Sequence, residues 1–103
     1  MKTLKAGLRL KSAVCATEVM VIRAPAGELD LRCGGAAMLA TGETAPAGAA
    51  LDAAFAGGSL VGKRYVDAAE ALEILCTKGG NGALSLGSVA LEVKIAKALP
   101  SSD

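Results

Sequence analysis

Apolar and polar residues alternate with a period of two along much of this chain, a pattern typical of β-strands that bury one face. The longest run covers residues 2–11, in which the apolar positions are Leu4, Ala6, Leu8 and Leu10. The same alternation returns over 28–33 and 89–95. A further strand is predicted over 14–23, and residues 19–22 within it are apolar on both faces, which favours a central position. The chain is therefore predicted to be built on β-sheet.

Turn sequences separate the predicted strands. The segment APAG at 24–27 predicts a β-hairpin that joins 14–23 to 28–33, because Pro25 fixes its own φ and Gly27 permits a positive one.

Further turns follow in the second half of the chain. The segment KGGNG at 78–82 predicts another hairpin, which follows a strand over 72–77. Residues 67–71 predict a turn or one helical turn, and the chain reverses again at Gly87–Ser88. About seven short strands result, so we expect an all-β, mainly antiparallel fold arranged as a small sandwich or a small barrel.

Residues 34–59 differ from the rest because they are mostly small. They predict at most one short helix near 47–56, since Leu51 and Phe55 are spaced i, i+4. Long connections in compact domains are often functional, so this segment is predicted to be a lid or a subunit contact, with a plain surface loop as the alternative. The whole chain is interpreted as a single β domain over 1–97 followed by a frayed tail at 98–103.

Composition limits the partners of this domain. Among 103 residues only Phe55 and Tyr65 are aromatic, although 52% are hydrophobic, so we expect a homo-oligomer that buries apolar surface between subunits. Eleven Lys and Arg against ten Asp and Glu, without a basic block, argue against nucleic acid and against a polybasic membrane anchor. No apolar run is long enough to cross a bilayer, and Arg9 and Lys11 interrupt the N-terminal stretch that could have formed a signal peptide.

The three cysteines, Cys15, Cys33 and Cys76, are far apart in sequence, and the chain has no histidine and no Cys-x-x-Cys motif. We therefore predict no metal and no cofactor, and an odd cysteine count fits a reducing, cytoplasmic location. The segment CGGAAM resembles the second knuckle of rubredoxin-like and desulforedoxin-like ribbons over these few residues, but the partner cysteines of such a ribbon are missing. No iron site is inferred from it.

Strand parity places each thiol with aliphatic neighbours. Cys33 shares a face with Leu31, Cys76 shares one with Ile74, and Cys15 shares one with Val19 if no bulge intervenes. All three are therefore predicted to be small apolar core residues. The alternative is a reactive or ligating thiol at Cys33.

Glu18 is the candidate catalytic carboxylate, because it lies inside an otherwise apolar strand. If its face is covered, burial would raise its pKa and suit it to acid/base chemistry, with Tyr65 as the second catalytic candidate. The alternative places Glu18 at the rim of the sheet in a salt bridge.

The candidate ligand-binding residues come mainly from the segment GKRYVD. Lys63 and Arg64 could bind a carboxylate or phosphate, although neighbouring strand residues point to opposite faces, and a charged edge strand is the alternative. Met20 and Phe55 complete this set as apolar contacts.

The absence of histidine excludes a Ser–His–Asp or Cys–His catalytic arrangement. Three functions remain compatible with the sequence patterns. The first is a self-associating β-module, a binding or accessory subunit without catalysis, whose partner is a small apolar or anionic ligand or a larger protein. The second is a small β-barrel enzyme acting on an organic substrate through Glu18. The third is a thiol-based redox or metal site at Cys33.

Overall fold

The computed structural model describes residues 2–94, in which nearly all regular structure is antiparallel β-sheet, so the predicted all-β class is confirmed. The strands are short, and a 3₁₀ turn at Ala53–Phe55 interrupts them. Their bounds are β1 Lys2–Thr3, β2 Arg9–Lys11, β3 Glu18–Arg23, β4 Glu28–Leu29, β5 Leu31–Cys33, β6 Ala36–Ala37, β7 Leu39–Ala40, β8 Arg64–Val66, β9 Glu73–Lys78, β10 Leu84–Leu86, β11 Val89–Ala90 and β12 Glu92–Val93.

The strands form a six-stranded sheet, a four-stranded sheet and a small β1–β4 pair. The six-stranded sheet has the order β12-β8-β9-β3-β2-β7, and the four-stranded sheet has the order β11-β10-β5-β6. These sheets do not close into a barrel, and the layout is that of a sandwich. Of the two predicted arrangements, the sandwich is therefore the one that fits.

At two places a single residue carries the chain from the four-stranded sheet to the six-stranded sheet. Met38 separates β6 from β7 and is fully buried, and its N–H donates to the carbonyl of Leu31 at 3.0 Å. Leu91 separates β11 from β12 in the same way, and its N–H donates to the carbonyl of Leu84 at 2.9 Å. Strands that change sheet at a bend form the corners of a sandwich, so each of these residues is an apolar corner.

Strand pairing corrects two of the sequence expectations. The hairpin predicted between 14–23 and 28–33 is wrong, because β3 pairs with β2 and β9, whereas β4 pairs with β1 and β5 pairs with β10 and β6. The hairpin predicted across 78–82 is also wrong, since β9 pairs with β3 and β8. Both turns instead carry the chain from one sheet to another. The predictions failed because a turn sequence does not determine which partner strand will pair with the strands it joins.

The alternating run over 2–11 is divided in two. Gly7 has φ of +89°, and the turn around it separates β1 from β2. The chain nevertheless stays paired with β3, because the Gly7 N–H donates to the Val21 carbonyl and the Val21 N–H donates to the Leu8 carbonyl, both at 2.8 Å. Other local predictions are confirmed: β9 matches the strand expected over 72–77 to within one residue, the chain turns within 67–71, and β10 and β11 form a hairpin around Gly87–Ser88.

The core between the sheets is almost wholly aliphatic and sulfur-containing. Cys33 and Cys76 are fully buried, as parity predicted, whereas Cys15 is half-buried in a loop and not on a strand. The fully buried residues that surround them include Val19, Val21, Met38, Leu72 and Ile74. The predicted tail at 98–103 lies outside the described residues.

Glu73 is a buried carboxylate on β9, with a side chain only 3% exposed. Three cations surround it: Lys94 Nζ lies 2.9 Å and Arg23 Nη2 3.4 Å from Oε1, and Arg64 Nη1 lies 3.0 Å from Oε2. The hydrogen bond from Lys94, helped by that from Arg64, holds the pKa of Glu73 below its ordinary value of 4.5, although burial of the carboxylate alone would raise that pKa. The carboxylate therefore ties β8 and β9 to the chain after β12.

The Glu73→Gln variant is expected to lose unfolding free energy at pH 7, because it removes the negative charge that the three cations contact. The loss is limited to about 1–2 kcal/mol, since the cations are partly exposed and solvent screens them. The folded pKa is lowered, so this contribution is present above pH 4.5 and is lost as the pH falls through the folded pKa. Urea unfolding from pH 7 to pH 3 measures both effects. The exposed Glu92→Gln change on β12 is the control, and equal losses in the two variants would contradict the prediction.

Candidate thiol site

The loop between β2 and β3 folds Cys15 back toward the core. Ser12 begins this loop, and its N–H donates to the carbonyl of Thr17 at 2.8 Å, which closes the loop at its base. The Ser12 hydroxyl oxygen accepts hydrogen bonds from the N–H groups of Val14 and Cys15, both at 3.1 Å. This side-chain-to-backbone turn is a local alternative to the strand ladder, and it fixes the direction of the Cys15 side chain.

The Cys15 sulfur has four neighbouring groups. The hydroxyl oxygens of Ser12 and Thr17 each lie 3.2 Å from Sγ, and the Gly82 N–H donates to it at 3.4 Å. The fourth neighbour is the Sγ of Cys33, at 3.7 Å. Both thiols are free, so residues that are 18 positions apart form a close dithiol.

The Ser12 hydroxyl is oriented by its own contacts. Its oxygen already accepts from the N–H groups of Val14 and Cys15, so its hydrogen remains to be donated. The nearest sulfur is that of Cys15, and the fully buried Thr17 hydroxyl contacts the same atom. When Cys15 is a thiolate, both hydroxyls can donate to it.

Glycines on the loop before β10 allow the close approach. A Cβ at Gly82 would lie 2.8 Å from the Gly34 nitrogen and 2.9 Å from the Cys33 sulfur. A Cβ at Gly80 would lie 2.5 Å from the Thr17 hydroxyl oxygen. Only a residue without a side chain fits between these atoms, so this loop packs with its backbone against both thiols.

The two thiols differ in acidity. Burial alone would raise the pKa of Cys15, but hydrogen bonds from Ser12, Thr17 and the Gly82 N–H lower that pKa from 9.0 to about 7. Burial raises the pKa of Cys33 to about 11, although the Thr17 hydroxyl opposes the shift. Cys15 is therefore the group that forms a thiolate near neutral pH.

The third thiol, Cys76, is not hydrogen-bonded to this dithiol. Its Sγ donates to the Lys78 carbonyl at 3.2 Å. Burial raises its pKa, and the nearby charge of Cys15 adds to that effect. In the part of the chain that the structure describes, no group of three or more Cys, His, Asp or Glu side chains is placed to hold a metal ion.

Part of the segment 34–59 packs against Gly34 and Ala83, which lie next to the dithiol. The Gly34 carbonyl accepts from the Asp52 N–H at 2.9 Å, and the Phe55 carbonyl accepts from the Ala83 N–H at 2.7 Å. Leu51 lies so close to Gly34 that a Cβ there would be 2.5 Å from its Cδ1. The helix predicted near 47–56 is reduced to the 3₁₀ turn, whose first N–H groups are satisfied in part by the Asp52 side chain.

Cys15 opens on its other side into a surface groove of about 380 Å³. Charged side chains of both signs line this groove: Lys11, Glu18, Glu43 and Lys78. Cys33 is not among its lining residues and is fully buried. Of the two cysteines, Cys15 is therefore the one that lines the groove.

The structure places the predicted catalytic residues on different faces. The Glu18 side chain is 50% exposed, and its Oε2 lies 3.9 Å from Lys78 Nζ at the rim of the groove. The buried apolar surroundings that acid/base chemistry required are absent around it. Tyr65 is buried in the core, where its hydroxyl accepts from the Leu60 N–H at 3.0 Å.

Of the four predicted ligand-binding residues, only Lys63 and Arg64 line a common surface pocket, together with Gly62 and Lys94. Arg64 is bound to Glu73, and Lys63 is exposed next to it on the chain. Met20 lies on the outer face of the six-stranded sheet, opposite Leu75. Phe55 ends the 3₁₀ turn beside the loop that contains Ala83.

Sequence reasoning missed the Cys15–Cys33 pair because Cys15 lies in a loop between two strands of the six-stranded sheet, whereas Cys33 is on β5 of the four-stranded sheet. One signal was present in SAVCAT, where Ser12 and Thr17 place hydroxyls on both sides of Cys15.

Comparison of the chain with protein-family models, with characterised proteins and with solved structures gives no match. Within residues 2–94, no helix has the length and apolar character needed to cross a membrane.

Proposed function

We propose that this protein is a thiol redox module in which Cys15 and Cys33 interconvert between a dithiol and an intramolecular disulfide. The observation that carries the proposal is the 3.7 Å separation of two free sulfur atoms, one half-buried beside a groove and one buried. A disulfide bond is about 2.05 Å long, so the sulfurs need to approach by less than 2 Å. The element that has to move is the β2–β3 loop that carries Cys15, or the side chains of the two cysteines within it and on β5.

The reaction exchanges electrons with an external dithiol–disulfide couple. The Cys15 thiolate attacks one sulfur of an external disulfide and releases the other as a thiolate, which forms a mixed disulfide. Cys33 then attacks Cys15, its proton passes to the leaving thiolate, and the Cys15–Cys33 bond forms. Two electrons have moved to the external couple, and the reverse sequence restores the two thiols.

A cytoplasmic location is part of this proposal. There the pair is reduced at rest and forms a disulfide only transiently, as is usual for cytosolic redox cysteines. The bond links residues 18 positions apart, so it would stabilise the oxidised form by about 3 kcal/mol if loop entropy dominates.

The self-association predicted from composition stays a prediction. Large apolar side chains available for it are exposed at Leu60, Val61, Val89 and Val93.

The test equilibrates the protein in buffers of reduced and oxidised dithiothreitol, quenches with acid, and alkylates the free thiols after denaturation. Mass spectrometry is expected to find two fewer alkylated thiols in oxidising buffer, with the bond mapped to Cys15 and Cys33. The Cys76→Ala variant is the control and should still form the bond, whereas Cys33→Ser should not. Three free thiols at every ratio, or a bond that involves Cys76, would refute the proposal.

A further inference from the structure

The dithiol is asymmetric in a way that points to its oxidant. Cys15 lines the groove and has hydrogen-bond donors around its sulfur, whereas Cys33 is sealed behind it. An oxidant that enters the groove therefore meets Cys15 first. Cys33 can react only with a sulfur that has already been modified beside it.

The groove is lined by equal numbers of positively and negatively charged side chains. Lys11 and Lys78 stand against Glu18 and Glu43, and Glu18 lies 3.9 Å from Lys78. Such a rim gives no net attraction to an anionic disulfide. Ala16, Leu39 and Ala45 add apolar residues to the lining of the groove, so a small uncharged molecule fits its chemistry best.

Donors around the sulfur suit the cleavage of a peroxide bond. The Ser12 and Thr17 hydroxyls lie 3.2 Å from Sγ, and the Gly82 N–H lies on the same atom at 3.4 Å. These groups stabilise negative charge on the sulfur, and as that charge passes to a reacting oxygen during attack they can donate to this oxygen instead. Stabilisation of the charge that develops on the leaving oxygen lowers the barrier to its departure.

We infer that Cys15 is the attacking residue for a small uncharged hydroperoxide, that Ser12, Thr17 and Gly82 position the reacting atoms, and that Cys33 resolves the product. This inference rests on the proposed dithiol–disulfide function and names its oxidant. The low pKa of Cys15, about 7, supplies thiolate at neutral pH.

Each step balances. The Cys15 thiolate attacks the terminal OH oxygen of the hydroperoxide ROOH, the O–O bond breaks, and the leaving alkoxide takes a proton from solvent to give the alcohol ROH. Cys15 becomes a sulfenic acid. The Cys33 sulfur then attacks Cys15, the S–S bond forms, and the S–O bond breaks. Hydroxide leaves with the Cys33 proton as water. An external dithiol reduces the disulfide and is itself oxidised by two electrons.

The test uses the full chain with hydrogen peroxide, tert-butyl hydroperoxide and oxidised glutathione as probes. At neutral pH, Cys15 is expected to react with both hydroperoxides at least about tenfold faster than N-acetylcysteine does. The Cys33→Ser variant should accumulate a sulfenic acid on Cys15 that dimedone traps, and Cys15→Ser should abolish trapping. A rate equal to that of N-acetylcysteine, or faster oxidation by glutathione disulfide, would overturn the inference.

The positioning role of Thr17 has a separate readout. Thr17→Val keeps the shape of the buried side chain and removes its hydroxyl, so the rate is expected to fall roughly tenfold. The midpoint of the pH–rate profile, expected near 7 in the wild type, should also move upward. The exposed Thr41→Val change is the control and should move neither quantity. An unshifted midpoint in a folded Thr17→Val variant would remove Thr17 from the mechanism.

The two failures are distinguishable. If the disulfide forms in dithiothreitol buffers but hydroperoxides do not react faster than with the free thiol, only the oxidant is wrong. If the Cys15–Cys33 disulfide forms under neither condition, both the function and the inference fail.

Discussion

The Met38→Ala variant is expected to lose about 2–5 kcal/mol of unfolding free energy, which would be the largest effect of a single substitution considered for this chain. Met38 is fully buried at the bend where the chain leaves the four-stranded sheet and enters the six-stranded one. Truncation removes apolar contacts with both layers at once and leaves a cavity that the corner cannot close. Urea unfolding, extrapolated to water, measures the loss.

Two other substitutions make that result specific to the corner. Met20→Ala changes the same residue type on the half-buried outer face of β3 and should lose roughly 1 kcal/mol. Met38→Leu nearly conserves volume, should lose less than about 1.5 kcal/mol, and remains measurable if the alanine variant fails to fold. A Met38→Ala variant no less stable than Met20→Ala would show that the corner is not packed as described.

The Gly82→Ala variant is expected to lose about 1–3 kcal/mol, the usual range for overpacking. The added Cβ would lie 2.8 Å from the Gly34 nitrogen, 2.9 Å from the Cys33 sulfur and 3.0 Å from the Gly34 Cα. The loop cannot move away freely, because the Gly82 N–H contacts Cys15 and its carbonyl accepts a hydrogen bond from the Ser59 hydroxyl.

Gly57→Ala is the matched control for this steric effect. A Cβ at Gly57 has no neighbour within 4 Å, and, like Gly82, Gly57 does not have a positive φ. Its stability should stay within about 0.5 kcal/mol of the wild type. Equal stabilities of the two alanine variants, measured by urea unfolding, would contradict the close backbone packing of Gly82 against the dithiol.

Local pattern was sufficient to predict the class of this fold but not its pairing. The period of two identified sheet, and parity correctly buried Cys33 and Cys76. Parity could not place Cys15, because this residue lies in a loop whose conformation is set by the Ser12 hydroxyl. The two wrong hairpins have a related cause, since a turn specifies a change of direction and not the strand that will lie alongside.

The two carboxylates inside apolar strands illustrate the same limit. Glu18 in TEVMV and Glu73 in LEIL have similar neighbours in sequence, yet Glu18 is half exposed and Glu73 is 3% exposed. The difference arises because β9 lies between β3 and β8, which bring Arg23 and Arg64 to Glu73. Cations that arrive from other strands can be assigned only after the strand order is known.

The pairing of β3 with β9 also has a consequence for how the molecule reaches its native state. These central strands, Glu18–Arg23 and Glu73–Lys78, are separated by about half of the chain, and pairings of this kind form slowly because a long loop must close first. The surroundings of Cys15 need the β2–β3 loop, the end of β5 and the Gly82 loop together. In a newly made chain none of the three cysteines has these neighbours, and the groups that lower the pKa of Cys15 surround it only when these distant segments have met. The appearance of one acidic thiol would therefore report the completion of folding.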